Sequence, residues 1–265
     1  MEIDSKAPLT NQHAVITGGG RGIGAAIAAA LARSGASVSL IGRNQAVLDG
    51  TANRVRASYG VKVATASADV TDEAAVRNAV SSVSQVLGAP SILVNNAGVG
   101  LSSPFLKSDA AFWRKILDVD LMGAVFCTRA VLPAMVESRW GRIVNIASTA
   151  GMTGYAYITA YCAAKHAVIG FTRALAMETA RTGVTVNAIC PAYVDTDMTA
   201  ETIANIVQKT GRSREEAVGS LIARNPQGRL IQPAEVADAV VWLSKRDAAS
   251  ITGQSIIIAG GELMP

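Results

Sequence analysis

The chain has 265 residues, half of them apolar and 17% charged. At roughly 150 residues per domain this falls short of two domains, and the composition excludes an intrinsically disordered chain. Lys and Arg number 24 against 20 Asp and Glu, a net charge of +4 with the cations scattered along the chain, which argues against a nucleic-acid partner.

The start, Met1–Pro8, has neither the basic opening nor the apolar stretch of a secretory signal. The longest uninterrupted apolar run, Ala25–Ala32, is far below the ~20 residues of a membrane helix. A cytoplasmic protein without a membrane partner is expected. Cys127, Cys162 and Cys190 are widely spaced, form no Cys-x-x-Cys motif, and meet only two histidines, His13 and His166, so neither a disulfide framework nor a metal site is expected.

In chain order, strands are predicted at His13–Thr17, Ser37–Ile41, Val61–Ser67, Ile92–Asn95, Ile143–Ser148, Val184–Cys190 and Ser255–Ala259. Helical stretches lie between them near 22–33, 44–58, 72–87, 109–137, 158–181 and 233–245. Gly35, Gly60, Gly88 and Gly183 stop four of the helices, and Pro233 suits a first helical position. The strands are apolar throughout rather than alternating, which implies burial on both faces and hence a parallel sheet. Repeated strand–helix units of this kind give an α/β fold with a doubly wound parallel sheet of about seven strands, in one domain over 1–265. Residues 196–226 interrupt the alternation with scattered charge; so long an excursion at the strand ends is read as a small helical substrate lid.

Three groups of residues carry chemistry. Thr17-Gly18-Gly19-Gly20-Arg21-Gly22-Ile23-Gly24 follows the first strand and opens an Ala-rich helix. Its glycines let backbone N–H groups approach an anion at a helix N-terminus, which points to a dinucleotide. A cofactor with a free 2′-hydroxyl usually meets an acid at the end of the second strand; here no acid occurs between Gly24 and Asp49, and Gly42-Arg43 occupies that place. Arg43 and Arg21 suit a 2′-phosphate, so NADPH is expected over NADH. Third, Tyr161 and Lys165 lie one helical turn apart, where the cation favours the phenolate, and Ser148 closes a strand at the edge where sites on such sheets collect.

Together these pieces resemble, in order and spacing, the compact branch of the short-chain dehydrogenase/reductase family over essentially the whole chain. The match extends to Asp69-Val70, Asn95-Asn96-Ala97-Gly98 and Pro191-Ala192-Tyr193-Val194-Asp195-Thr196. The resemblance implies a Rossmann-type sheet with Tyr161 as general acid/base and Ser148 holding the carbonyl oxygen. It implies that Lys165 holds the nicotinamide ribose and lowers the tyrosine's proton affinity. It further implies that Gly18, Gly20, Gly22, Ile23 and Gly24 hold the pyrophosphate side, with Arg21, Gly42 and Arg43 at the 2′-phosphate. Asp69 and Val70 are then at the adenine, Asn95, Ala97 and Gly98 support the cofactor, and Pro191, Val194 and Thr196 meet the nicotinamide. Ala192 stands where the family usually has glycine. Asp120 stands where it has a fourth catalytic residue, an asparagine whose main-chain carbonyl holds a water at a helix kink. The Asp120 carboxylate is expected to point away or to pair with Arg129 or Lys115; the alternative is an ionised Asp120 beside Lys165, stabilising its ammonium.

Gly141–Gly151 and Ala223–Arg229 with Gln232-Pro233 resemble bacterial 3-oxoacyl-thioester reductases, aromatic polyketide ketoreductases among them. This implies NADPH-dependent reduction of a 3-oxoacyl thioester, on CoA or acyl carrier protein, to the 3-hydroxyacyl form. A dehydrogenase of a free secondary alcohol or ketone is the alternative, and a non-catalytic NADPH-binding regulator a remote one. The resemblance also implies a homo-oligomer, a tetramer. His166 and Cys162 are read as structural, and Phe112 and Trp113 as packing of the long helix or of a subunit interface.

Overall fold

The computed structural model describes residues 7–264; Met1–Lys6 and Pro265, and with them most of the segment read for a signal, lie outside the described residues. Seven parallel strands form one sheet in the order β3-β2-β1-β4-β5-β6-β7. They are β1 (His13–Thr17), β2 (Ser37–Gly42), β3 (Val63–Ser67), β4 (Ile92–Asn95), β5 (Gly141–Ile146), β6 (Val184–Pro191) and β7 (Ser255–Ile258). Chain order reverses between β1 and β4, which opens a crevice at their C-terminal ends. Every residue of β1, β4, β5 and β6 is buried, as the unbroken apolar runs require.

Helices cover both faces. On one, α1 (Gly22–Arg33), α2 (Gln45–Tyr59) and α9 (Pro233–Ser244) enclose a core with Ile16, Ile27, Leu31, Leu40 and Leu48 fully buried. On the other, α3 (Glu73–Leu87), α5 (Gly123–Glu137) and α6 (Thr159–Thr179) enclose one around Val15, Leu93, Ile143 and Met135. Gly35, Gly60, Gly88 and Gly183 all adopt positive φ where the chain turns into the following strand.

Two elements differ from their expected form. Strand β5 ends at Ile146, so Ser148 lies beyond it and caps the 3₁₀ turn Thr149–Gly151 with its own hydroxyl. The helix expected over 109–137 is α4 (Ala110–Leu117) and α5 joined by a π-turn, Asp118–Met122. By length and composition alone Ala110–Glu137 would suffice to cross a membrane, which a count of uninterrupted apolar runs misses because isolated charges break them. Here it lies against α3, α6 and the sheet.

His13 opens β1 from a buried position. Its Nδ1 lies 2.7 Å from the Gly88 carbonyl, which can only accept, so Nδ1 carries the proton and Nε2 accepts from the Ser39 hydroxyl at 2.7 Å. Burial lowers the imidazole below its ordinary 6.5, with the Gly88 carbonyl opposing. The unfolded chain therefore binds this proton at a higher pH than the folded one, so stability is full above about pH 6.5 and declines as pH falls below it. Urea midpoints measured between about pH 7 and pH 5 should drop more steeply for the wild type than for His13→Gln. Parallel slopes would show that His13 does not titrate on unfolding.

Candidate active site

The glycine turn sits at the crevice between β1 and β4. A Cβ at Gly24 would overlap the Gly18 carbonyl, so α1 can meet the turn this closely only with glycine there. Asn44, Asp72 and Thr196 cap α2, α3 and α7 (Asp197–Thr210) with their side chains, whereas Arg21 gives α1 no side-chain cap. The first N–H groups of α1 are thus open donors for an anion, as a pyrophosphate requires. Asn96 stitches the turn to β4: its Nδ2 donates to the Thr17 and Gly18 carbonyls at 2.9 and 3.3 Å, and the Asn96 and Ala97 amides donate to the Thr17 hydroxyl, each at 3.0 Å. Asn96 and Thr17 lie within the motifs read from the sequence, which assigned neither of them a role.

At the C-terminal end of β2 the strand closes on Gly42, and Arg43 is exposed with its carbonyl accepting from Ser67 at 3.0 Å. The Asp69 carboxylate is held below its ordinary value first by the Thr71 amide, with Arg43 adding a smaller pull. Arg21, by contrast, lies 4.0 Å from Asp197 at the start of α7, an exposed and weak pair. Thr196 packs beside Gly22, so the glycine turn and the start of α7 face one another.

Beneath the crevice runs a sealed polar chain. Asn95 Nδ2 donates to Thr128 Oγ1 at 3.1 Å and to Asn145 Oδ1 at 2.8 Å; Asn145 Nδ2 donates to Thr172 Oγ1 at 2.8 Å, which donates to the Val168 carbonyl at 2.8 Å. These bonds tie β4, β5, α5 and α6 together directly under the site. Asn145, Thr128 and Thr172 carried no sequence signal, because an interior polar residue in an apolar strand looks like an interruption.

The structure brings together Ser148, Tyr161, Lys165 and Asp120. Ser148 Oγ accepts from the Ala150 amide at 3.1 Å and reaches the Pro191 carbonyl at 3.5 Å. Tyr161 is half-buried and, like Phe112 and Trp113, packs on the cluster of Ile116, Ala160 and Ala164 that joins α4 to α6. Lys165 is buried; its Nζ donates to the Ile146 carbonyl at 3.1 Å and lies 5.5 Å from the centre of the Tyr161 ring. The expectation for Asp120 is corrected. Its carboxylate neither points away nor meets Arg129, which pairs with Glu73 at 3.5 Å, but lies 3.0 Å from Lys165 Nζ. The π-turn supplies the reason: the extra backbone residue rotates Asp120 inward, where a buried carboxylate needs a cation.

Desolvation lifts the Tyr161 phenol above its ordinary value; Lys165 opposes the rise and Asp120 adds to it. Burial alone would lower the Lys165 ammonium, but Asp120 and then Tyr161 outweigh it and hold it above its ordinary value. Burial likewise raises the Asp120 carboxyl, against the pull of Lys165. A phenol, a hydroxyl and an ammonium in this arrangement can hold a carbonyl oxygen and give it a proton.

The excursion after β6 is helical, α7 followed by α8 (Arg214–Ile222), with Ile203 and Ala217 buried between. Met198 of α7 rests on Gly100, and the Ser103 amide donates to the Tyr157 carbonyl at 2.8 Å, so the loop after β4 meets both α7 and the loop before α6. The Tyr155 hydroxyl donates to Glu262 and lies 2.9 Å from the Thr149 hydroxyl, while the Arg224 guanidinium stacks 5.2 Å from the Tyr155 ring centre. The C-terminal segment, the stretch after α8 and the loop after Ser148 therefore meet at one tyrosine. His166 is exposed and bonds only the Cys162 carbonyl, at 2.8 Å.

The sequence model of a family described as short chain dehydrogenase matches residues 12–206. 2-(S)-hydroxypropyl-CoM dehydrogenase 3 of Xanthobacter autotrophicus is 38% identical over 96% of this chain and 97% of its own length. A 3-oxoacyl-(acyl-carrier-protein) reductase of Aquifex aeolicus is 36% identical over 96% and 98%. Among solved structures, a variant of actinorhodin polyketide ketoreductase with NADPH is 38% identical and superposes with a TM-score of 0.91 over 95% of this chain and 97% of that one.

The contact between Tyr155 and Glu262 makes a prediction. Glu262→Gln removes a charge-assisted acceptor from the rim but leaves the glycine turn untouched. KM for the carbonyl substrate should rise by about tenfold while the dissociation constant of the dinucleotide stays within about twofold. Equal losses in both would show that Glu262 supports the fold as a whole.

Proposed function

The chain belongs to the short-chain dehydrogenase family and is an oxidoreductase acting on CH–OH groups, and on that premise we propose that it reduces a 3-oxoacyl thioester to the 3-hydroxyacyl form with NADPH in preference to NADH. The acyl group rides on CoA or acyl carrier protein, polyketide chains included. The observation that carries this reading is a set of large exposed apolar side chains on the loops after β4 and β5 and on α7: Phe105 and Leu106 follow Ser103, which bonds the Tyr157 carbonyl, and Met198 meets Gly100 of the same loop. Exposed apolar side chains gathered there suit a flexible acyl chain. The resemblance to a 3-oxoacyl reductase and a polyketide ketoreductase supports it.

In this reading Gly18, Gly20, Gly22, Ile23 and Gly24 hold the pyrophosphate, Arg21, Gly42 and Arg43 the 2′-phosphate, and Asp69 and Val70 the adenine. Asn95, Ala97 and Gly98 brace the cofactor, with Pro191, Val194 and Thr196 at the nicotinamide and Tyr161 and Lys165 at its ribose. When bound, NADPH supplies the hydride. Ser148 donates a hydrogen bond to the substrate's carbonyl oxygen, and Tyr161 gives that oxygen its proton, so the ketone becomes a hydroxyl. Lys165 holds the site's positive charge beside the phenol. Residues 196–226 act as the lid of a single domain spanning the chain, and the protein works in the cytoplasm as a homotetramer, for which the partly exposed apolar helix Ala110–Glu137 offers surface. A second reading, oxidation of a free secondary alcohol, is favoured by the likeness to the hydroxypropyl-CoM dehydrogenase. Following NADPH consumption across 3-oxoacyl-CoA esters, cyclic ketones and steroids decides between them: turnover confined to the ketones and steroids would overturn the thioester reading.

Two substitutions test the assigned roles. Arg43→Asp places a carboxylate at the 2′-phosphate, and kcat/KM with NADPH relative to NADH should fall by about tenfold or more. Equal efficiency with the two cofactors in the unmodified enzyme would sink this assignment. Tyr161→Phe removes only a hydroxyl, so cofactor affinity should persist while kcat falls about 10²–10⁴-fold. Near-normal kcat would place the proton donor elsewhere.

A further inference from the structure

We propose that Asp120 is a positioning residue that clamps the Lys165 ammonium against the Gly98–Val99 turn and offsets its pull on Tyr161, so that the phenol stays a proton donor to higher pH. The inference rests on the reading of Tyr161 as the proton donor. Three contacts carry it. Asp120 Oδ1 lies 3.0 Å from Lys165 Nζ with no side-chain exposure at the carboxylate. Asp120 Oδ2 accepts from the Val99 amide at 3.2 Å. A Cβ on Gly98 would come within 2.7 Å of Oδ1, so the turn must be glycine for the carboxylate to sit there. A carboxylate serves both donors with two acceptors. An amide of the same shape has one acceptor and no charge, so it can serve the Val99 amide or face the ammonium but cannot do both, and Lys165 keeps only the Ile146 carbonyl as its acceptor.

The other groups facing this cluster leave the balance to the pair. From α6 come Tyr161 and Cys162; from the end of β5 the Ile146 carbonyl and Ser148; from β6 the Cys190 thiol, pushed up to about 11 by burial and therefore neutral. Tyr193, beyond β6, is raised by burial and by Glu262 behind it, and is likewise uncharged at neutral pH. Asp120 and Lys165 are the charges that act on the phenol at close range. Removing the carboxylate's charge leaves the cation to favour the phenolate.

The test is kcat against pH for oxidation of a secondary alcohol, at saturating cofactor, in the wild type and Asp120→Asn. Oxidation needs the phenolate, so its acid limb should move to lower pH by about one unit in the variant. A phenolate titration read by ultraviolet difference against the Tyr161→Phe form of each protein should shift the same way without any substrate. Should Asp120→Asn fail to fold, Asp120→Ser removes the same charge from a smaller side chain and carries the same expectation. An unmoved limb, or one moved to higher pH, overturns the proposal. Turnover surviving in Tyr161→Phe would instead overturn the reading beneath it.

Discussion

Parallel pairing is the constraint from which the rest of the structure follows. Two parallel neighbours cannot be joined by a tight turn, so each connection crosses a face of the sheet, and both faces end up covered by helices. The strands must then be apolar on both sides, and polar loops are driven to the two edges of the sheet. All seven strands run the same way, so the loops at one edge all follow strand C-termini. The reversal between β1 and β4 leaves a gap in the helices there. The glycine turn, the Asn95–Gly98 turn, Ser148 and the start of α7 are gathered at this edge because topology gives them no other place.

This explains what could be read from the sequence. Strand positions were legible because double-sided burial leaves uninterrupted apolar runs, and helix ends because glycine marks the left-handed stop. The glycine turn, Tyr161, Lys165 and Ser148 were legible because their chemistry fixes residue types at fixed spacings. The π-turn was not, since nothing in Asp118-Val119-Asp120-Leu121-Met122 distinguishes one extra backbone residue from regular helix. With the turn unseen, the sequence favours a carboxylate that points away or meets Arg129 or Lys115, and the pairing with Lys165 that the structure shows was its less favoured alternative. The contact between Tyr155 and Glu262 joins residues 107 positions apart, beyond any local pattern.

The polar chain from Asn95 to Thr172 shows how a buried site is held without a mobile support. Asn145 lies in the middle of a fully buried strand, where an unpaired amide is costly. Its partners come from β4 and α6, so the network forms only when the sheet and the helix carrying Tyr161 and Lys165 are both in register. A helix held by apolar packing alone can slide by small increments at low cost. A helix that must also satisfy Asn145 cannot, and the spacing between Ser148 on one element and Tyr161 on the other is fixed as a consequence.

The pairing of Asp120 with Lys165 is a different kind of expense. Desolvating two charges costs several kcal/mol per ion, and well-packed apolar residues of similar volume often serve stability as well or better. The pair is therefore hard to explain as a stabilising device. Its place argues for function instead. It lies at the single π-turn among the described residues, against a glycine that leaves room for it, and beside the phenol that faces the crevice. Regular helix would turn Asp120 away from Lys165, and a side chain at Gly98 would push the carboxylate off the ammonium. Two local departures, one of backbone period and one of residue size, thus converge on placing one negative charge, and neither improves the packing of the core around it.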